Sequence, residues 1–151
     1  MSRRKADLST PLEISINVLT KLLNTITERS LELQELKIQY CKILNNLIGY
    51  VKTKDNNYLQ NDIIYNSIPW EKILEQSSKN FSLLNKFKST GEFSQKEINY
   101  MCAMLCGITG KEFEIVTGLK SHYNISWTIR RKLGVKKNST NIGTYLKSLY
   151  E

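Results

Sequence analysis

Apolar residues recur at alternating three- and four-residue steps through much of the first third of the chain. The frame runs from Ile16 to Val51 and is interrupted by polar residues at Ser30 and Lys37. A heptad frame of this kind predicts an amphipathic helix whose apolar stripe packs against another helix. The stripe consists of Ile16, Leu19, Leu23, Ile26, Leu33, Tyr40, Leu44, Leu47 and Val51.

The start of this helix has a clear local signal. Thr10 can act as the N-cap, Pro11 fits the first helical position, and Glu13 completes a capping box. We therefore expect a long helix over residues 10–54 that pairs with a second chain as a parallel homodimer. The periodicity equally allows the helix to fold back on its own chain, because the pattern defines a face and not its partner.

The rest of the chain also has helical periodicity, so the predicted fold class is all-α. Residues 1–9 form a basic tail, and residues 55–68 are a polar, Asn-rich linker. Residues 69–90 form a connecting helix that starts at Pro69. Residues 91–151 form a small domain of four short helices.

Capping motifs divide this last domain. Two capping boxes, Ser94 to Glu97 and Thr109 to Glu112, each predict a helix start. Gly118 and Gly134 stand where the second and third of these helices end, as glycines do at left-handed C-terminal caps.

The charge of the chain points towards an acidic partner. The 151 residues carry a formal net charge of +8. The segment from Thr109 to Glu151 has eight lysines and arginines against three acidic residues, a net +5. Such a basic segment is typical of nucleic-acid binding. No apolar run is long enough for a membrane helix, and three cysteines do not suit a disulfide framework, so we expect a cytoplasmic protein that does not enter membranes.

The sequence offers little for catalysis. It has a single histidine, His122, and neither a glycine-rich phosphate loop nor a nucleophile elbow. Cys102 and Cys106 lie one helical turn apart, and we interpret them as small buried residues and not as metal ligands. We therefore expect no catalytic residues, no metal and no cofactor, and a protein that is not an enzyme.

The predicted helix around residues 120–133 has two different faces. Ile125, Ile129 and Leu133 stack on one side, which should face the core together with His122. The other side combines positive charge, an amide and aromatic rings, which suits contact with base edges in a DNA groove. These base-facing candidates are Lys120, Tyr123, Asn124, Trp127 and Arg131. The candidates for phosphate contacts are Lys111, Arg130, Lys132, Lys136 and Lys137.

Several short motifs of the last domain resemble the LuxR-type helix-turn-helix family. The similarity is greatest to the C-terminal domain of Bacteroidetes transcription regulators that carry tetratricopeptide repeats, although no such repeats are present here. The motifs are Phe93-Ser-Gln-Lys-Glu97, Lys111-Glu-Phe113, Ile129-Arg-Arg-Lys-Leu-Gly134 and Asn141-Ile-Gly-Thr-Tyr-Leu146. The resemblance implies a dimeric transcription regulator that places the helix around 120–133 in the major groove of double-stranded DNA.

The entry to that helix departs from the family pattern. The segment Leu119-Lys-Ser-His-Tyr123 replaces the usual small residues, and the stretch between Glu112 and Gly134 is about two residues shorter than in the family. The alternative is a coiled-coil adapter with a degenerate helix-turn-helix, whose partner is a second regulatory protein.

Overall fold

The computed structural model describes residues 2–25, 31–55, 57, 70–135 and 141–150, with side chains from residue 12 onward except 32, 33 and 150. These residues contain helices, turns and loops but no strand, which confirms the predicted all-α class. No helix in these ranges is long and apolar enough to span a bilayer. The helices are α1 (Ser2–Thr25), α2 (Leu31–Thr53), α3 (Trp70–Ser78), α4 (Ser82–Thr90), α5 (Gln95–Leu105), α6 (Gly110–Thr117), α7 (Tyr123–Leu133) and α8 (Ile142–Tyr150).

The segment expected to form one helix over 10–54 is a hairpin of two helices. α1 and α2 pack against each other. Glu13 and Ile16, in the first half of α1, share a surface pocket with Ile48 and Val51 at the end of α2, so the two helices run antiparallel. The structure therefore has the fold-back arrangement, and the prediction of a single long helix was wrong.

Thr25, the last described residue of α1, makes two hydrogen bonds. The Thr25 hydroxyl donates to the Leu22 carbonyl at 2.7 Å. Its own carbonyl accepts from the Asn80 side-chain amide at 3.3 Å. Threonine and asparagine side chains compete in this way with backbone hydrogen bonds, and the tertiary contact to Asn80 is invisible to a periodicity argument.

The stripe predicted to pair two chains is buried within one chain. Leu19, Leu23, Tyr40 and Leu47 lie in the common hydrophobic core, and Ile16, Leu44 and Val51 pack against it while partly buried. Ile26 and the Leu33 side chain lie outside the described residues. In this structure Leu19, Leu23, Tyr40 and Leu47 therefore face their own chain and not a second one.

Two further boundaries differ from the prediction. α1 begins at Ser2, so residues 2–9 of the expected basic tail are helical and Pro11 lies inside the helix. The capping signal at Thr10 is only a local preference, and Arg3, Arg4 and Ala6 before it are good helix formers. Residues 58–68 of the predicted linker lie outside the described part of the chain.

The predicted connecting helix over 69–90 is two helices, α3 and α4. The chain turns at Lys79 and Asn80. The Ser78 hydroxyl donates to the Glu75 carbonyl at 2.8 Å, and the Phe81 N–H donates to the Ser78 carbonyl at 3.1 Å. These bonds close the last turn of α3 and allow Leu84 on α4 to reach the core, where it is fully buried.

α5 lies at the centre of the C-terminal part. It contacts α3, α4, α6, α7 and α8. All its residues from Glu97 to Leu105 are buried, as expected for a helix that is surrounded on every side. The other helices are therefore positioned by their packing on α5.

The local signals of this region are confirmed. Both predicted capping boxes are complete, at Ser94 and Glu97 and at Thr109 and Glu112. Gly118 and Gly134 each adopt the left-handed conformation with φ of 73° at the ends of α6 and α7. The Asn141 side-chain oxygen accepts from the Gly143 and Thr144 N–H groups and caps α8.

Leu19 tests whether the stripe is internal. Leu19→Ala should lower the free energy of unfolding by ~2–5 kcal/mol, because the side chain is fully buried. The loss should be the same at low and high protein concentration in urea titrations. Ile115→Ala, at a site 42% exposed, should cost less than ~0.5 kcal/mol. A loss that grows with protein concentration would instead place Leu19 between chains.

Candidate nucleic-acid interface

α7 has one buried face and one exposed face. Ile129 is fully buried, while Ile125 and Leu133 pack against the core from its edge. All five predicted base-facing residues are exposed: Lys120, Tyr123, Asn124, Trp127 and Arg131. Lys120 lies in the turn before α7, because the helix begins at Tyr123. We call these five residues the α7 stripe.

Two members of the α7 stripe hold each other in place. The Arg131 guanidinium lies over the Trp127 ring, with its central carbon 5.2 Å from the ring centroid. A cation–π pair of this kind restricts both side chains while leaving the guanidinium N–H groups able to donate. Trp127 is 53% exposed and Tyr123 is 68% exposed, so the stripe presents flat aromatic surface beside positive charge.

The turn between α6 and α7 is fixed by a carboxylate that the sequence analysis missed. Glu114 accepts a hydrogen bond from the His122 backbone N–H at 3.0 Å, and its carboxylate also lies within hydrogen-bond distance of the imidazole Nδ1. Hydrogen bonds from the His122 side chain and backbone hold the pKa of Glu114 below its usual value. Because Glu114 lies on α6, this pair sets the position of the α7 start.

The His122 ring is tightly enclosed. It stacks on Tyr123 with ring centroids 4.2 Å apart and faces Tyr100 at 6.4 Å. On its other side, a Cβ atom added at Gly110 would lie 2.5 Å from the ring. The prediction that His122 packs inwards is confirmed, since its side chain is only 14% exposed. A glycine at the first position of α6 was the available signal for this close approach.

Lys132 is not free to contact phosphate as predicted. Its ammonium donates to the Glu92 carbonyl at 2.6 Å and to the Glu97 carboxylate at 2.7 Å. It also lies 5.3 Å from the centre of the Phe93 ring. Helical periodicity predicts the direction in which the Lys132 side chain points. It does not predict that the start of α5 lies there and supplies its partners. Lys132 therefore ties the end of α7 to the start of α5.

The electrostatics of Glu97 follow from this contact. Burial raises the pKa of Glu97, but hydrogen bonds from Lys132 and from the Ser94 backbone, with the positive charge of Lys132, outweigh that effect and leave the pKa below 4.5. The carboxylate is thus ionised in the folded protein near neutral pH.

The other predicted phosphate contacts have different environments. Lys111 is exposed on α6. Arg130 is half-buried, and its Nε donates to the Ser126 hydroxyl at 3.4 Å. Lys136 and Lys137 lie outside the described residues.

A groove of about 860 Å³ runs beside the α7 stripe, between α7 and the ends of α5, α6 and α8. Arg130 and Lys147 bring positive charge to its lining, and Tyr100 and Trp127 contribute aromatic rings. Sequence reasoning missed Lys147, because only the packing of α8 on α5 brings this helix next to α7.

Cys102 and Cys106 are both buried, as interpreted from the sequence. The Cys102 thiol donates to the Leu74 carbonyl at 3.5 Å, and the Cys106 sulfur lies 3.4 Å from the Thr25 hydroxyl. Within the described ranges, no three histidine, cysteine or acidic side chains cluster closely enough to hold a metal ion.

Comparisons with protein-family models, curated proteins and solved structures found no match.

The contribution of the Glu97–Lys132 contact to stability should appear in the pH dependence of the unfolding free energy at acid pH. The folded-state pKa of Glu97 is lowered, so its contribution to stability is fully present above about pH 4.5 and is lost as the pH falls below that value. Glu97→Gln should therefore reduce the pH dependence of the unfolding free energy on the acid side of about pH 4.5. Equal slopes for the two proteins in urea titrations would contradict this coupling.

Gly110 and His122 should be coupled. In a helix, Gly→Ala usually stabilises by up to ~1 kcal/mol. Here Gly110→Ala should destabilise, because Glu114 holds the imidazole where the new Cβ would lie. In a His122→Ala background the same substitution should become neutral or stabilising in thermal unfolding. Destabilisation of equal size in both backgrounds would refute the steric explanation.

Proposed function

We propose that this chain is a sequence-specific, DNA-binding transcription regulator. In this proposal α6, the turn and α7 act as a helix-turn-helix, and α7 lies in the major groove of double-stranded DNA. The observation that carries the proposal is the α7 stripe, in which the exposed face of the helix and the turn before it join two cations, an amide and two aromatic rings.

The side chains of the stripe match the chemistry of base edges. Asn124 can donate and accept with the N6 and N7 atoms of adenine, and Arg131 can donate twice to the O6 and N7 atoms of guanine. Tyr123 and Trp127 offer flat apolar surface for thymine methyl groups.

A reading helix needs a fixed orientation, and α7 is anchored at both ends. Glu114 holds the start of α7 through His122, and Glu97 holds its end through Lys132. Neither anchor uses a side chain of the α7 stripe, so the bases would meet a helix that is already positioned. Preorganisation of this kind reduces the entropy that binding must overcome.

Phosphate contacts would come from the cations around the stripe. Lys111 and Arg130 remain candidates, and Lys147 joins them from α8. Lys136 and Lys137 follow Gly134 in the sequence and extend the same basic segment. Lys132 leaves this group because its ammonium is bound to Glu97 and Glu92.

The motifs shared with the LuxR-type family support the same proposal. The competing proposal is an adapter that binds a second regulatory protein. The stacked rings of His122 and Tyr123, which occupy the entry to α7, favour it. Binding to duplex DNA separates the two.

The test begins with selection of bound sequences from a random duplex pool, followed by anisotropy titrations at several salt concentrations. Arg131→Ala should cost ~1–3 kcal/mol on the selected site and relax the preference at one base pair. Trp127→Ala should weaken binding without lowering the melting temperature, because the ring is 53% exposed. Lys72→Ala, an exposed lysine on α3, is the matched control and should bind like the unchanged chain.

Two outcomes would overturn the proposal. One is the absence of duplex binding even at low salt, where phosphate contacts are strongest. The other is binding that neither Arg131→Ala nor Trp127→Ala weakens, which would remove α7 as the reading helix. Either result would favour the adapter.

A further inference from the structure

The outer face of α2 has an unusual composition for a solvent-exposed surface. The inner face packs on α1 through Leu36, Tyr40, Ile43 and Leu47, which are buried. On the opposite face Leu31 is 70% exposed and Ile38 is 60% exposed. Large apolar side chains one heptad apart on an exposed helix mark a contact surface for another helix.

This outer face contains a second heptad frame, distinct from the buried one. Leu31, Ile38 and Asn45 follow one another at seven-residue intervals on the side opposite the buried residues. A row beside them, at the edge between the outer face and α1, has the same spacing: Gln34 is exposed, whereas Cys41 and Ile48 are partly exposed, with Cys41 also packed on the core and Ile48 bordering α1. The two rows correspond to the a and d positions of a coiled-coil seam.

We propose that two copies of this chain associate through α2, paired antiparallel about a two-fold axis that crosses the helix near Gln39 and Tyr40. In this register Leu31 meets the partner's Ile48, and Ile38 meets the partner's Cys41. Gln34 meets the partner's Asn45. The two-fold axis repeats each pair, so the seam has six layers.

The pairing is complementary in polarity. In four layers an apolar residue meets an apolar residue. In each of the other two layers the amide of Gln34 meets the amide of the partner's Asn45. A polar layer of this kind specifies register, because any shift would bury an amide against an apolar side chain.

The charges favour the antiparallel direction. Beside the seam, Glu35 comes opposite Lys42 of the partner subunit, and the two-fold axis repeats this ion pair. Parallel pairing would instead place Lys37 beside the partner's Lys42, a repulsive contact. α2 alone therefore distinguishes between the two directions.

The size of the surface predicts a weak dimer. The eighteen residues from Leu31 to Ile48 span about 27 Å of helix, and a single helix face is smaller than the ~800 Å² per partner of a standard interface. We expect dissociation in the micromolar range. The dimer itself does not depend on the proposed function, but it would give a DNA-binding protein two α7 helices related by two-fold symmetry.

A cysteine substitution tests the register directly. In Ile38→Cys, the new thiol should form a disulfide with Cys41 of the partner subunit under mild oxidation, identified by peptide mass spectrometry. Leu31→Cys is the matched control on the same row, and it should not join Cys41, because its partner is Ile48. In Ile38→Cys, a disulfide that joins the two introduced thiols to each other would indicate parallel pairing and overturn the proposal.

Analytical ultracentrifugation tests the outer face of α2 without a cross-link, by measuring the oligomeric state. The unchanged chain should dimerise at roughly tens of micromolar, and Ile38→Asp should be monomeric with an unchanged circular dichroism spectrum. Ile115→Asp, at an apolar site 42% exposed on α6, is the control and should still dimerise. Glu35→Lys should weaken association, and the double variant Glu35→Lys, Lys42→Glu should restore it. A monomeric unchanged chain, or a dimer that Ile38→Asp leaves intact, would refute the proposal, whatever the outcome of the DNA titrations.

Discussion

The carboxylate of Glu112 connects the two ends of the chain. It accepts from the Thr109 N–H at 2.9 Å and so completes the cap of α6. It also accepts from Lys21 at 2.9 Å and Asn17 at 2.7 Å, both on α1, while Lys21 donates to the Gly107 carbonyl as well. Burial raises the pKa of Glu112, but these hydrogen bonds outweigh that effect and lower it. The N-terminal hairpin is therefore joined to the C-terminal helices by a group that also holds a helix start.

The same use of carboxylates at helix ends positions α7. Glu97 caps α5 and binds Lys132, and Glu114 binds His122. Each of these acids lies on a neighbouring helix, Glu97 on α5 and Glu114 on α6. Neither contact uses Lys120, Asn124 or Arg131, which are exposed. The helix is positive because it contains Arg130, Arg131 and Lys132 and no acidic residue.

The sequence predicts what depends on neighbouring residues and misses what depends on distant ones. The capping boxes at Ser94 and Thr109 and the glycine at 134 were placed correctly, because each is a local hydrogen-bonding or conformational requirement. The heptad stripe correctly marked buried residues, but it could not reveal that α1 would turn back on α2. For the same reason the exposed face of α7 was predictable from helical phase, whereas the partners of Lys132 and His122 lie 35 and 8 residues away and were not.

The central claim is that α7 reads the DNA groove from a prepositioned surface, and an NMR titration tests it most directly. Backbone amide resonances of the isotope-labelled chain would be followed while the selected duplex is added at low salt. The account predicts that the largest shifts fall on Tyr123 to Arg131 and on the preceding turn, with the resonances of the buried α5 core nearly unmoved. Shifts confined to α1 and α2, or a general shift across α5 that signals rearrangement, would contradict it.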